Sequence, residues 1–292
     1  MLKKIKGYFK TPKGFGQLVN TISIFAPRKS AEIAFRIFCT PRKGRSFSKS
    51  QNALLNRSEQ ERLPLRDFEL QTYVWKGGQE KVLLVHGWDS NASRWKAVIS
   101  TLLSENYTVI AFDGPGHGKS GNKTTNGVLY AEAVEKVTQR FRPDYVIGHS
   151  FGGMAVCNYF ANFDALPIKR LILMATPSKL SRVLVDYYKI INYRNRGQKA
   201  LKEYFDTTYG FTAESFSMED YIKKVNVKGL VIHDKNDETT PFSEGKAIHK
   251  NWKNSSFFEV ENIGHSLQHK SVYLKIVEEI KKGNRANEKS NF

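Results

Sequence analysis

Cysteine is nearly absent: the 292-residue chain holds two, Cys39 and Cys157. So few thiols exclude a disulfide framework and lead us to expect two free buried thiols in a reducing cytoplasm. Long hydrophobic runs are missing as well. No window approaches the roughly 20 consecutive apolar residues that a membrane-spanning helix needs, and the longest runs, VLLVHGW and LILMA, have strand length. The paired ligand spacing of a zinc or calcium site does not occur, and GKS at Gly118 to Ser120 lacks the GxxxxGK frame of a phosphate-binding loop. No metal or cofactor is therefore expected. Although MLKKIKGYFK is basic like a secretory n-region, LVNTISIFAP is interrupted by Asn20, Thr21 and Ser23 and offers no small-residue cleavage site. The segment is expected to be retained.

Acidic residues are scarce where the chain begins. Residues 1–50 carry twelve Lys and Arg against Glu32 alone, so +11 of the formal +18 lies there. Such a segment suits weak contact with an anionic surface, about 1 kcal/mol per basic residue and screened by salt. A merely solvated basic surface is the simpler reading. No specific nucleic-acid partner is expected, and the expected location is the cytoplasm, with or without peripheral membrane contact.

What is present is an alternation of short apolar runs and helix-compatible stretches beyond residue 65, the pattern of an α/β fold with a mostly parallel sheet covered on both faces. Strands are expected near Leu70 to Trp75, Lys81 to His86, Thr108 to Asp113, Tyr145 to Gly148, Arg170 to Met174, Gly229 to His233 and Phe257 to Val260. Helices fit near Arg94 to Ser104, Leu129 to Phe141, Gly152 to Asn162, Ser243 to Lys250 and Val272 to Lys282. A tyrosine-rich, charged segment breaks the alternation, so residues 66–176 and 229–282 read as the core and 177–228 as a helical cap insertion. Its Tyr187, Tyr188, Tyr193, Tyr204 and Tyr209 suit either a pocket lining or, for most of them, the cap's own small core. Residues 1–65 read as a basic N-terminal extension. Within it Leu2, Ile5 and Phe9 fall at helical spacing, SAEIAFRIF forms a short helix capped by Ser30, and TPRKGRSFSKSQN reads as a linker or exposed loop. The tail 283–292 is expected to be disordered.

The stretch VIGHSFGGMAV places Ser150 between Gly148 and Gly152, after an apolar strand and before a helix. A serine on such a corner needs small neighbours, because the turn is strained and brings the helix close to the strand. The helix that follows points its amides and positive dipole end at the site, which favours an anion beside Ser150.

A serine hydroxyl becomes a useful nucleophile only when a base takes its proton, and that base needs a carboxylate to orient it. His265, in the loop ENIGHSLQH after the last expected strand, is placed to serve. His269 falls in or near the next helix, His233 ends a strand, and His149 adjoins the serine with its side chain directed elsewhere. The loop VIHDKNDETTP offers Asp234, Asp237 and Glu238; Asp237 is the preferred partner, and Asp234 suits the turn itself. Acyl chemistry also needs oxyanion donors. The backbone amides of Phe151 and Trp88 are the candidates, with His86 and Gly87 structural in the same loop.

Together VLLVHGW, VIAFDGPGHGKS, GHSFGG, VIHDKNDETTP and NIGHS, in this order, resemble the α/β-hydrolase fold superfamily across about residues 66–282. The resemblance implies a serine hydrolase in which Ser150 attacks an acyl carbonyl, His265 shuttles the proton, Asp237 holds the imidazole and water releases the acyl group. Asp113, Gly116 and Gly118 correspond to a structural turn of that family. A serine at the corner argues against the haloalkane dehalogenase and epoxide hydrolase branches, and HGW argues against the branch carrying an HGGG oxyanion loop. The expected reaction is hydrolysis of a carboxylic ester or thioester, with a small-molecule acyl substrate. Acyl transfer on the same residues, or a non-catalytic binding protein working through its basic N-terminal arm, are the alternatives.

Overall fold

The structure is a computed structural model that describes residues 14–288, with side chains described for residues 14–283. The helix expected on Leu2, Ile5 and Phe9 lies outside the described residues, as does the end of the tail expected to be disordered. The chain opens with two helices, α1 (Phe15–Phe25) and α2 (Pro27–Phe38), and a short α3 (Lys49–Leu55). Then follow β1 (Glu59–Leu65), β2 (Phe68–Trp75), β3 (Lys81–Val85), α4 (Lys96–Ser104), β4 (Thr108–Phe112), α5 (Gly127–Phe141), β5 (Tyr145–His149), α6 (Phe151–Asn162) and β6 (Arg170–Met174). After these come α7 (Leu180–Ile191), α8 (Asn195–Tyr209), the one-turn α9 (Met218–Tyr221), β7 (Gly229–Asp234), α10 (Phe242–Asn251), β8 (Ser255–Val260) and α11 (Lys270–Glu288).

The eight strands form one sheet in the order β1-β2-β4-β3-β5-β6-β7-β8. The β1–β2 and β2–β4 pairs are antiparallel, and the six strands from β4 to β8 run parallel. Successive strand residues face opposite sides, so two cores form. Val82 and Leu84 of β3 pack with Trp95, Leu102 and Ile276 on one face, whereas Leu83 and Val85 pack with Val134, Met154 and Ile248 on the other. Helices on both faces explain why β5 and β7 are buried along their whole length.

The seven expected strands appear as β2 to β8. The eighth, β1, lies inside the segment expected to be an extension, so the sheet begins at Glu59 rather than after residue 65. Its sequence EQERLPL is charged and largely exposed, as suits an edge strand, and the edge also tolerates Pro64. The expected linker is anchored too. Ser48 caps α3 with a capping box closed by Gln51, and the amides of Arg42 and Lys43 donate to Asp89 Oδ1 at 2.7 and 3.0 Å. At the other end α11 continues through Gly283 to Glu288, where a disordered tail was expected. An Arg170 guanidinium N–H donates to Lys282 O at 3.2 Å and fixes that end of the helix to the sheet.

Residues 177–228 are mainly helical, as α7 to α9, and α1 and α2 pack against them. Phe15, Val19, Ala34 and Phe35 share an apolar cluster with Leu184, Tyr187, Leu201 and Phe205. Polar bonds lock the contact: Tyr187 donates to Ala34 O at 2.7 Å, and Asn20 donates to Asn192 O and accepts from the Arg194 amide, both at 2.8 Å. Ser30 is not the expected cap, because Pro27 starts α2 one turn earlier. Instead the buried Ser30 hydroxyl donates to Val19 O at 2.6 Å and lies 2.8 Å from the Tyr193 hydroxyl. Tyr187, Tyr188 and Tyr193 thus belong to this small core.

If the N-terminal helices complete the cap, deleting residues 1–38 strips the cover from Tyr187, Leu201 and Phe205. The truncated protein is expected to melt at a lower temperature and to bind more 1-anilinonaphthalene-8-sulfonate, and Tyr187→Phe alone to cost about 1 kcal/mol. A free arm would leave the midpoint where it is.

Candidate active site

The corner after β5 is strained. Ser150 sits at φ 54°, ψ −122°, a conformation few residues other than glycine adopt, and its amide donates to Met174 O at 2.8 Å. Around it the backbone is packed too closely for side chains. A Cβ on Gly87 would lie 3.0 Å from Ser150 Cβ, one on Gly148 would lie 2.8 Å from Gly153 Cα, and one on Gly152 would strike the carbonyls of Val85 and His86. Helix α6 begins at once with Phe151, so its N-terminal amides point at the serine.

The structure brings Ser150, His265 and Asp237 into one hydrogen-bonded chain. Asp237, on the β7–α10 loop, accepts from His265 Nδ1–H at 2.8 Å. A carboxylate only accepts, so Nδ1 carries a proton, and the tautomer with that single proton leaves Nε2 to accept the Ser150 hydroxyl at 3.0 Å. The other Asp237 oxygen accepts the amides of Thr239 and Thr240 at 2.8 and 2.9 Å, so the buried carboxylate is fully engaged. Glu238 is exposed, and His269 faces outward with Nδ1 against the Ser271 hydroxyl. His233 donates through Nε2 to Thr240 O at 2.9 Å and so steadies the Asp237 loop.

Two supports aim His265. Asp234 takes the turn role expected of it and more: besides the Asn236 amide at 2.6 Å, its carboxylate accepts the amides of Ile263 and Gly264, at 2.5 and 2.8 Å, on the loop that carries His265. His149 donates through Nε2 to the His265 carbonyl at 2.8 Å, and the two rings lie 5.1 Å apart. Its side chain points elsewhere than the serine, as expected, and reaches under the histidine loop. Nothing in a single sequence reveals that contact across 116 residues.

Trp88 and Phe151 line the same cavity as Ser150, and among the described residues no backbone carbonyl pairs with either amide. The Trp88 indole packs edge-on against Phe151 at 5.4 Å. His86 is structural, as expected. Its Nδ1–H donates to Gly87 O at 2.7 Å and its Nε2 accepts the Gly114 amide at 2.8 Å, which ties the Trp88 loop to the turn after β4. Asp113 anchors that turn by accepting from the Ala92 and Lys119 amides and the Tyr73 hydroxyl, and burial raises its pKa. A cavity of about 270 Å³ opens at Ser150 between the sheet and the cap helices. Among the described residues no group of three or more His, Cys, Asp or Glu could hold a metal ion, and no helix is long and apolar enough to cross a membrane.

The family profile described as alpha/beta hydrolase fold matches residues 81–200. The chain is 25% identical over 210 residues to a non-heme chloroperoxidase of Streptomyces lividans, covering 56% of this chain and 76% of that protein. It is 23% identical over 230 residues to a bifunctional esterase/perhydrolase of Acinetobacter calcoaceticus, covering 62% and 83%. Among solved structures, an esterase from Exiguobacterium antarcticum superposes with a TM-score of 0.58 at 18% identity, over 75% of this chain and 98% of that one. With the sheet order and the corner at Ser150, these likenesses show the α/β-hydrolase fold.

Burial pushes the imidazoles of His86 and His149 well below their ordinary pKa and that of His117 down to about 4. Unfolding returns each to about 6.5, so between about pH 6.5 and 4 the unfolded chain binds more protons. Stability is therefore expected to hold above pH 6.5 and to fall as pH drops through that window, by up to about 1.4 kcal/mol per pH unit for each group. Urea midpoints at pH 7 and 5 measure this, and His117→Gln should flatten the slope. Equal midpoints would contradict the burial argument.

Proposed function

We propose that this protein is a serine hydrolase that cleaves carboxylic esters or thioesters through an acyl-enzyme. The observation that carries the reading is the chain from Asp237 through His265 to Ser150, at 2.8 and 3.0 Å, ending on a serine held at a strained corner. Ser150 Oγ attacks the acyl carbonyl as its proton passes to His265 Nε2, and Asp237 stabilises the imidazolium. The negative charge on the carbonyl oxygen is met by the Trp88 and Phe151 amides, donors of a kind worth about 3–4 kcal/mol each in other hydrolases. The imidazolium protonates the leaving alcohol or thiol; water, deprotonated by His265, then releases the acid. The esterase named among the relatives supports the substrate class.

p-Nitrophenyl butyrate is expected to be hydrolysed, with kcat lowered at least about 10³-fold by Ser150→Ala and by His265→Ala. Turnover that survives Ser150→Ala would overturn the proposal.

Residues 1–50 supply a second, weaker role in this proposal: contact with an anionic lipid surface at the cytoplasmic side. Leu18, Ile24 and Phe25 are exposed on α1, next to exposed Arg28 and Lys29. Cosedimentation with phosphatidylserine vesicles at low salt, reduced by Phe25→Ser and by added salt, is the expected result. Equal recovery with phosphatidylcholine vesicles would refute it.

A further inference from the structure

The segment before the sheet contributes to the cavity at Ser150. Phe35 and Phe38 of α2 line it together with Phe205, Phe211 and Phe216 from the 177–228 segment and Met154 from α6. The rings form a continuous wall: Phe35 meets Phe205 edge-on at 5.1 Å, Phe205 lies 6.2 Å from Phe211, and Phe211 lies 5.3 Å from Phe216. Phe38 is braced from behind by Tyr187 at 5.0 Å. This arrangement is fixed by the same contacts that dock α2 on α7 and α8, so it is a preformed surface and needs no closure.

The charged groups at the lining each lie beside an opposite charge of the protein itself. Arg182 Nε donates to Glu244 Oε1 at 3.0 Å, and the other Glu244 oxygen accepts the Ser178 amide and hydroxyl at 2.9 and 2.6 Å. Lys189 lies 3.7 Å from Asp186 on its own helix. Placing a carboxylate against the aromatic wall would desolvate it without a partner, which disfavours anionic acyl chains. A chain of methylenes, by contrast, gains with each group buried.

We infer that the substrate's acyl group is an uncharged, apolar chain of medium length or an aryl group, and that Phe35 and Phe38 of the N-terminal helix pair select it. The inference rests on the ester hydrolase reading and adds the substrate class to it. Phe35 and Phe38 lie outside the region matched by the family profile, so this selection is a feature of the chain's own N-terminal segment.

The test is an ester series from p-nitrophenyl acetate to octanoate with full-length protein. The wild type is expected to prefer octanoate to acetate in kcat/KM. In Phe38→Ala, where a half-buried ring is lost, the octanoate-to-acetate ratio should fall at least tenfold, and in Phe38→Trp the optimum should move to shorter chains. A ratio unchanged in both variants, or acetate preferred by the wild type, would overturn the inference. A fluorescent medium-chain fatty acid bound to the Ser150→Ala protein reads the cavity without turnover. Displacement by octanoate but not by acetate, weakened by Phe38→Ala, supports the inference; no binding overturns it, even where acetate hydrolysis upholds the hydrolase. Absence of ester turnover together with normal fatty-acid binding would instead remove the hydrolase reading and leave the apolar pocket in place.

Discussion

The backbone at Ser150 is the constraint on which the rest of the site depends. A non-glycine residue held at φ 54° costs of order 1–3 kcal/mol and persists only where its surroundings over-determine it. Here they do: the amide is tied to Met174 O on β6, Gly87 and Gly148 leave room on either side, and α6 starts one residue later against the carbonyls that end β3. Relaxing the corner would break a strand contact and misplace the helix together. The strain therefore holds the hydroxyl clear of the sheet, at the end where the parallel strands deliver their loops.

The other parts reach the serine by separate routes and are braced separately. Asp234 joins the end of β7 to the loop after β8, and His149, the residue before the serine, supports that loop from below. His265 is thus positioned by both the strand that precedes it in the sheet and the strand that carries the serine. His86 and Asp113 fix the Trp88 loop in the same way, through buried groups that stay neutral or fully hydrogen-bonded. Little in this arrangement can move alone, which is what preorganised charge stabilisation requires.

The core and the three meeting side chains were legible in the sequence because their signals are local. An apolar run, a glycine-flanked serine and a loop acid each announce themselves within ten residues, and chain order then brings Ser150, Asp237 and His265 to one edge of a parallel sheet. What escaped has no local signal. EQERLPL does not read as a strand because an edge strand needs charge rather than alternating apolar residues. Ser30 looked like a cap because its long-range partners, Val19 O and the Tyr193 hydroxyl, are invisible in the local pattern. The contributions of His149 to the histidine loop and of Phe35 and Phe38 to the cavity are likewise tertiary contacts. The charge of residues 1–50 reads as a basic extension, although apolar residues of α1 and α2 pack against helices of the 177–228 segment.

The central claim is that one residue, Ser150, is the activated hydroxyl of this protein. Its most direct measurement is peptide-level mass spectrometry after treatment with a fluorophosphonate, which reacts with serines activated in this way. The account predicts a single phosphonyl adduct, on the peptide containing Ser150, that disappears in His265→Ala. An adduct on another residue, or none on the folded protein, would contradict it.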